Sequence, residues 1–201
     1  MIVPPLMGHI NPTVALGQQL LASGHDVVWL GYEVSLRRSL PPQYRVIALD
    51  EEGDDWMGHQ QVTDHGAQER RGFAGLHYLW ESVFIPLAQR TFHTVERLLH
   101  QERPDLCIVD QQMLSGALVC QKWAYPYLTS ATTSAALINP LEGLPQVQEW
   151  HRQLLVSLWE DFQVTPPDTS PYLELSPLGT IAFSSQRMAL STTNGALPRE
   201  M

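Results

Sequence analysis

The chain has 201 residues, of which 44% are hydrophobic and 16% charged, and it carries a net charge of −9. This is enough apolar material for a full hydrophobic core without disulfides or metals, and it excludes a disordered chain. An acidic protein with no basic run also lacks the clustered Lys and Arg that phosphate contacts need, so no nucleic-acid partner is expected.

The first segment is a short apolar run, Ile2-Val3-Pro4, which reads as a strand closed by Pro4-Pro5. Asn11 before Pro12 predicts a helix start, an N-cap followed by a proline at the first helical position. Val14, Leu16, Leu20 and Leu21 then recur at helical spacing, and Gly24 is placed to follow the C-cap. Val27 to Leu30 reads as a second strand and Glu33 to Leu40 as a short helix stopped by Pro41-Pro42. Tyr44 to Leu49 reads as a third strand.

Residues 50 to 72 are polar and irregular. Their acidic cluster (Asp50, Glu51, Glu52, Asp54, Asp55) and the histidines His59 and His65 lack the spacing of a metal site, so a solvated loop and no metal are expected. Residues 73 to 101 form a long helical pattern with Phe73, Leu76, Trp80, Val83, Phe84, Leu87, Thr91, Val95 and Leu98 on one face. Pro86 should kink or divide it. Leu106 to Val109 predicts a fourth strand, Met113 to Trp123 a helix and Tyr127 to Thr129 a fifth strand. Residues 147 to 163 predict a helix carrying Trp150, Leu154, Leu158 and Phe162. Residues 164 to 178 read as a loop, Ile181 to Phe183 as a sixth strand, and the tail from Gln186 has no period.

Strands alternating with helices imply a doubly wound, Rossmann-like α/β fold with a mostly parallel sheet. In such sheets the ligand crevice lies beyond the carboxyl ends of the strands where the strand order reverses, usually between strands one and four. Two segments stand there. His9 follows Gly8, whose backbone freedom suits the turn after strand one, and Asp110 is the first polar residue after strand four. A carboxylate behind an imidazole fixes its tautomer and stabilises the imidazolium, which makes a general base able to activate a hydroxyl. Each has a plainer reading: His9 as a loop hydrogen-bonder, Asp110 as the cap of the helix beginning near Gln112.

The stretches PPLMGHINPTVALGQQLLASGHDVVWLG, PDLCIVDQQMLSGALVCQKWAYPYL and IAFSSQ resemble the N-terminal domain of family 1 glycosyltransferases of the GT-B fold. The bacterial macrolide and zeaxanthin glucosyltransferase-like members are the nearest in look. Gly8, His9 and Pro12, with Gly24-His25 and Asp110, carry the resemblance, which covers nearly the whole chain. It implies an inverting UDP-glycosyltransferase (a hexosyltransferase) that moves a sugar from a nucleotide-sugar to a hydroxyl of a hydrophobic small-molecule acceptor. In that reading His9 is the base and Asp110 its paired carboxylate. Candidate acceptor-binding positions are Leu6, Met7, Phe73, His77, Trp80, Ser130, Thr132 and Thr133.

Such enzymes have a second Rossmann-like domain that holds the nucleotide-sugar, and no stretch here resembles it. Residues 1–201 are therefore expected to form one acceptor-binding domain with the C-terminal donor domain absent. Such a truncated chain would need no cofactor beyond the nucleotide-sugar co-substrate and be inactive alone. Its partner would be a donor-domain chain or a second copy. A non-catalytic small-molecule-binding or interaction module is the alternative. A dinucleotide- or P-loop nucleotide-binding protein is disfavoured, since neither G-x-G-x-x-G after strand one nor G-x-x-x-x-G-K-[ST] occurs. Cys107 and Cys120 make no disulfide framework and, with no basic leader and no apolar stretch of membrane-spanning length, predict a cytoplasmic protein without a membrane span.

Overall fold

The computed structural model describes residues 1–49, 72–132, 141, 143–165, 173 and 175–183. The acidic cluster, His59, His65, Thr133 and the tail from Gln186 lie outside the described residues. The helices are α1 (Met7–Ala22), α2 (Glu33–Ser39), α3 (Phe73–Leu79), α4 (Ile85–Glu102), α5 (Leu114–Lys122) and α6 (Pro145–Asp161). The strands are β1 (Val28–Gly31), β2 (Arg45–Ala48), β3 (Cys107–Asp110), β4 (Tyr127–Ala131) and β5 (Thr180–Ala182).

Every described strand pairing is parallel: β1 with β2, β3 with β4 and β4 with β5. The expected N-terminal strand contracts to Ile2, which bridges in parallel to Leu30 on one side and Val109 on the other. Its backbone knits the halves together: Ile2 donates to the Ile108 carbonyl at 2.8 Å, Val3 to Leu30 at 3.0 Å, and Asp110 donates to Ile2 at 2.9 Å. The lateral order is thus β2, β1, the Ile2 segment, β3, β4, β5. This is the doubly wound order, with the N-terminal segment beside the strand that ends in Asp110.

Alternation along the strands splits the apolar side chains between two cores. Val3 and Trp29 join Ile10, Val27, Leu36 and Leu40 beneath α1 and α2. Ile2 and Leu30 face the larger cluster formed with α4, α5 and α6, including Phe92, Leu118, Leu155 and Trp159. Close approach is arranged by glycines. A Cβ on Gly17 would lie 2.2 Å from Trp29 Cζ2, so only a glycine lets the indole come this close to α1; the ring stacks on Tyr44 at 5.0 Å and donates to Thr13 Oγ1 at 3.0 Å. A Cβ on Gly116 would lie 2.7 Å from Val109 Cγ1, which brings α5 down onto β3.

Several boundaries differ from the sequence reading. α1 begins at Met7 rather than Pro12, and its N-cap is Leu6. The Pro4-Pro5 pair blocks helix before it, and Pro12 is tolerated inside because it forgoes only the bond to the Gly8 carbonyl. Gly8 is therefore helical rather than a turn residue. At the other end Gly24 has φ +85°, and the bonds from His25 N–H to Leu20 and from Gly24 N–H to Leu21 complete a Schellman motif, as Gly24's position predicts. Pro86 falls in the first turn of α4, and the helix before it widens into a π-helical turn over Trp80–Phe84, where the proline ring crowds the Ser82 carbonyl. Phe73 is half exposed rather than on the buried face, and Leu106 is exposed, since β3 begins at Cys107. α6 buries His151, Leu155, Leu158 and Trp159, a face turned one residue from the expected Trp150–Leu154 stripe. Cys107 and Cys120 are free, buried thiols. Among the described residues no helix is long and apolar enough to cross a membrane.

Candidate active site

The chain enters α1 through Leu6, whose extended backbone (φ −119°, ψ 117°) follows the two prolines. Leu6 donates to the Pro4 carbonyl at 2.7 Å and accepts from the His9 and Ile10 N–H groups at 2.9 and 3.0 Å. This tight entry places His9 in the first helical turn rather than in a loop, over the carboxyl ends of the strands. Asp110 is the last residue of β3 rather than the first residue beyond it, and its side chain is fully buried.

The two side chains, 101 positions apart in the chain, meet. His9 Nδ1 is 2.9 Å from Asp110 Oδ2 and 3.0 Å from Oδ1. Asp110 Oδ1 also accepts the Gln112 N–H at 2.9 Å, so the carboxylate both braces the imidazole and organises the turn into α5. The partner reading of Asp110 holds, but the cap reading does not: α5 begins at Leu114 with Met113 as its N-cap and no side-chain cap bond, so Asp110 closes the turn before the helix instead. An ionised carboxylate can only accept, so Nδ1 carries the proton and Nε2 keeps its lone pair. The pair can therefore take up a proton at Nε2 and hold the resulting imidazolium against a buried negative charge.

Thr132, just past β4, places Oγ1 2.9 Å from His9 Nδ1 and 3.4 Å from Nε2. Ser130 stands opposite Asp110 in the β3–β4 register, and its buried Oγ has no hydrogen-bond partner among the described residues. The buried Oε1 of Gln112 likewise has none.

The other candidates lie in two groups. Leu6 and Met7 stand just ahead of Gly8-His9. Leu6 is half-buried, and Met7 is exposed, its Sδ accepting from Ser39 Oγ at 3.1 Å. Phe73, His77 and Trp80 line α3 and the π-helical turn, and the latter two contact α6. His77 stacks on Trp150 at 3.9 Å, and Trp80 meets His151 edge-on at 4.2 Å. His151 was not foreseen. Its Nε2 is buried without a partner among the described residues, and burial pushes its pKa down to about 4. Among the described residues no group of three or more His, Cys, Asp or Glu is placed to hold a metal ion.

No protein-family model matches the chain. Forty residues, 20% of the chain, are 42% identical to 11% of UDP-N-acetylglucosamine–N-acetylmuramyl-(pentapeptide) pyrophosphoryl-undecaprenol N-acetylglucosamine transferase from Neisseria meningitidis. Over about nine-tenths of its length the chain is similar in fold to solved glycosyltransferases. The glycosyltransferase SnogD from Streptomyces nogalater superposes with a TM-score of 0.60 at 20% identity over 91% of this chain and 43% of that one. The calicheamicin glycosyltransferase CalG4 gives 0.60 at 18% identity over 90% and 47%.

The chain shares the fold of these GT-B glycosyltransferases. A third match, the kitacinnamycin glycosyltransferase, gives a TM-score of 0.55 at 14% identity over 87% and 42% of the two chains. The chain spans less than half the length of each of these glycosyltransferases. The shared GT-B fold accords with the order of strands around Ile2 and with helices on both faces of the sheet.

Proposed function

We propose that this chain is the N-terminal, acceptor-binding half of an inverting glycosyltransferase that moves a hexose from a nucleotide-sugar to a hydroxyl of an apolar small molecule. The observation that carries the reading is the buried His9–Asp110 pair at the carboxyl ends of the parallel strands, where the strand order reverses. His9 Nε2 takes the proton of the acceptor hydroxyl as its oxygen attacks the anomeric carbon. The bond from that carbon to the diphosphate breaks, and the nucleoside diphosphate leaves with the electron pair. Asp110 remains ionised and stabilises the imidazolium. The acceptor lies against Leu6 and Met7, with Ser130 and Thr132 at its polar end and the α3 face of Phe73, His77 and Trp80 as the apolar wall. The nucleotide-sugar is held by a donor domain, supplied by a partner chain or by sequence beyond this one, in the cytoplasm. No cofactor or metal enters the step.

The test compares the chain alone with the chain joined to a nucleotide-sugar-binding domain of the same fold, using UDP-glucose and a panel of apolar alcohols. The chain alone should give no transfer, and the joined protein should give turnover that His9→Ala lowers by about 10²-fold or more. Robust transfer by the chain alone would overturn the half-enzyme reading. Near-native turnover of the His9→Ala protein would remove His9 from the base role, and acceptor binding without transfer in any arrangement would favour a non-catalytic module.

A further inference from the structure

The hydroxyl of Thr132 does more than border a pocket: it touches the imidazole of His9. Its Oγ1 lies 2.9 Å from Nδ1 and 3.4 Å from Nε2. An oxygen that close to both nitrogens of one ring cannot lie in the ring plane beyond either of them, so it rests against the ring face. The lone pair of Nε2 lies in the ring plane, and this contact leaves it open. The Asp110 carboxylate meets Nδ1 at 2.9 and 3.0 Å.

The two contacts come from adjacent strands. Asp110 is opposite Ser130 in the parallel β3–β4 register, and Thr132, two residues beyond Ser130, falls on the same face of the sheet. The imidazole is therefore held between β3 and the exit of β4. Turning the ring by half a revolution about its Cβ–Cγ bond would put a carbon where Nδ1 now sits, and the nitrogen contacts with both residues would be lost.

We propose that Thr132 is a positioning residue for His9. Its hydroxyl holds the ring orientation that keeps Nδ1–H on Asp110 and aims Nε2 away from the protein, and its oxygen over the ring favours the positive charge that follows proton uptake. This rests on the base role proposed for His9 and gives Thr132 a task distinct from acceptor contact.

The test uses the 201-residue chain and two substitutions that separate hydroxyl from methyl. Thr132→Val keeps the shape and removes the hydroxyl, and Thr132→Ser keeps the hydroxyl and removes the methyl. The readout is the water-exchange rate of the His9 Nδ1 proton by nuclear magnetic resonance, assigned by its loss in Asp110→Asn. Removing the hydroxyl in the valine variant should speed exchange severalfold, and serine should restore the native rate. Native-like exchange in the valine variant overturns the proposal. So does equal acceleration in both variants, which would mean that the methyl packing holds the ring. If the valine variant does not fold, Thr132→Ala against Thr132→Ser gives the same decision. In the chain joined to a donor domain, Thr132→Val should lower kcat and Thr132→Ser should restore it. Absence of turnover with native Thr132 would count against the glycosyltransferase reading, while the exchange rates would still judge Thr132.

Discussion

At the scale of single residues, the site depends on one buried carboxylate with two tasks. Asp110 accepts from the His9 ring and from the Gln112 N–H at once, so its charge is spread over two donors rather than left bare in the interior. Asp110→Asn tests which task matters for chemistry. The amide oxygen can still accept from Gln112, but the amide can also offer an N–H to Nδ1, which stabilises the wrong tautomer and puts the proton on Nε2. In the joined enzyme this substitution should lower kcat about 10²–10⁴-fold while the thermal melt stays near native. A melt that collapses along with activity would show the turn contact to Gln112 to be the dominant task.

At the scale of elements, the crossing of α1 over β1 is set by a residue with no side chain. Gly17 is the point where the Trp29 indole lies on the helix, with Trp29 Nε1 donating to Thr13. Gly17→Ala adds a methyl where the indole now sits, in a core that also holds Tyr44. The expected loss is about 1–3 kcal/mol, read as a lower urea midpoint at unchanged slope. A variant as stable as the native chain would mean that the Trp29 ring can slide away at no cost. Because α1 also carries His9, the same change should disturb the His9–Asp110 contact. Much of this level was legible beforehand: Gly24, Pro41-Pro42 and the run from Val27 to Leu30 marked real ends and strands. The start of α1 was not. Asn11-Pro12 imitates a cap, whereas the actual start at Leu6 has no side-chain cap and is dictated by the prolines before it.

At the scale of the whole molecule, α6 closes the larger core with a histidine on its buried face. His151 is buried beside Trp80, and burial holds its pKa near 4, below the ordinary 6.5. Below pH 6.5 the unfolded chain takes up this proton while the native state does not. His151 therefore adds no penalty above that range and costs about 1.4 kcal/mol per pH unit as the pH falls from 6.5 towards 4. His151→Leu should flatten the loss of stability over that window and leave stability at pH 7 equal or higher, because it removes a polar atom that has no partner. Denaturant midpoints of the two proteins between pH 4 and 7 check this. Parallel curves would show that His151 titrates normally.

Sequence alone determined the fold class, since the alternation of apolar runs with helical periods admits only a parallel sheet covered on both faces. It also singled out His9 and Asp110, because residue type and position relative to the strand ends are local properties. Tertiary structure decided which groups meet. Ile2 joins β1 to β3 through backbone hydrogen bonds that any apolar residue could make, and Thr132 reaches His9 only because β4 lies next to β3 in register. The buried stripe of α6 likewise depended on its neighbours. Trp150-Leu154 and His151-Leu155 are both plausible faces by period, and in the fold it is His151 that packs on Trp80 and Leu155 that joins the larger core. Periodicity is a property of one element, whereas register and face selection arise between elements, and there the physics of packing makes the choice.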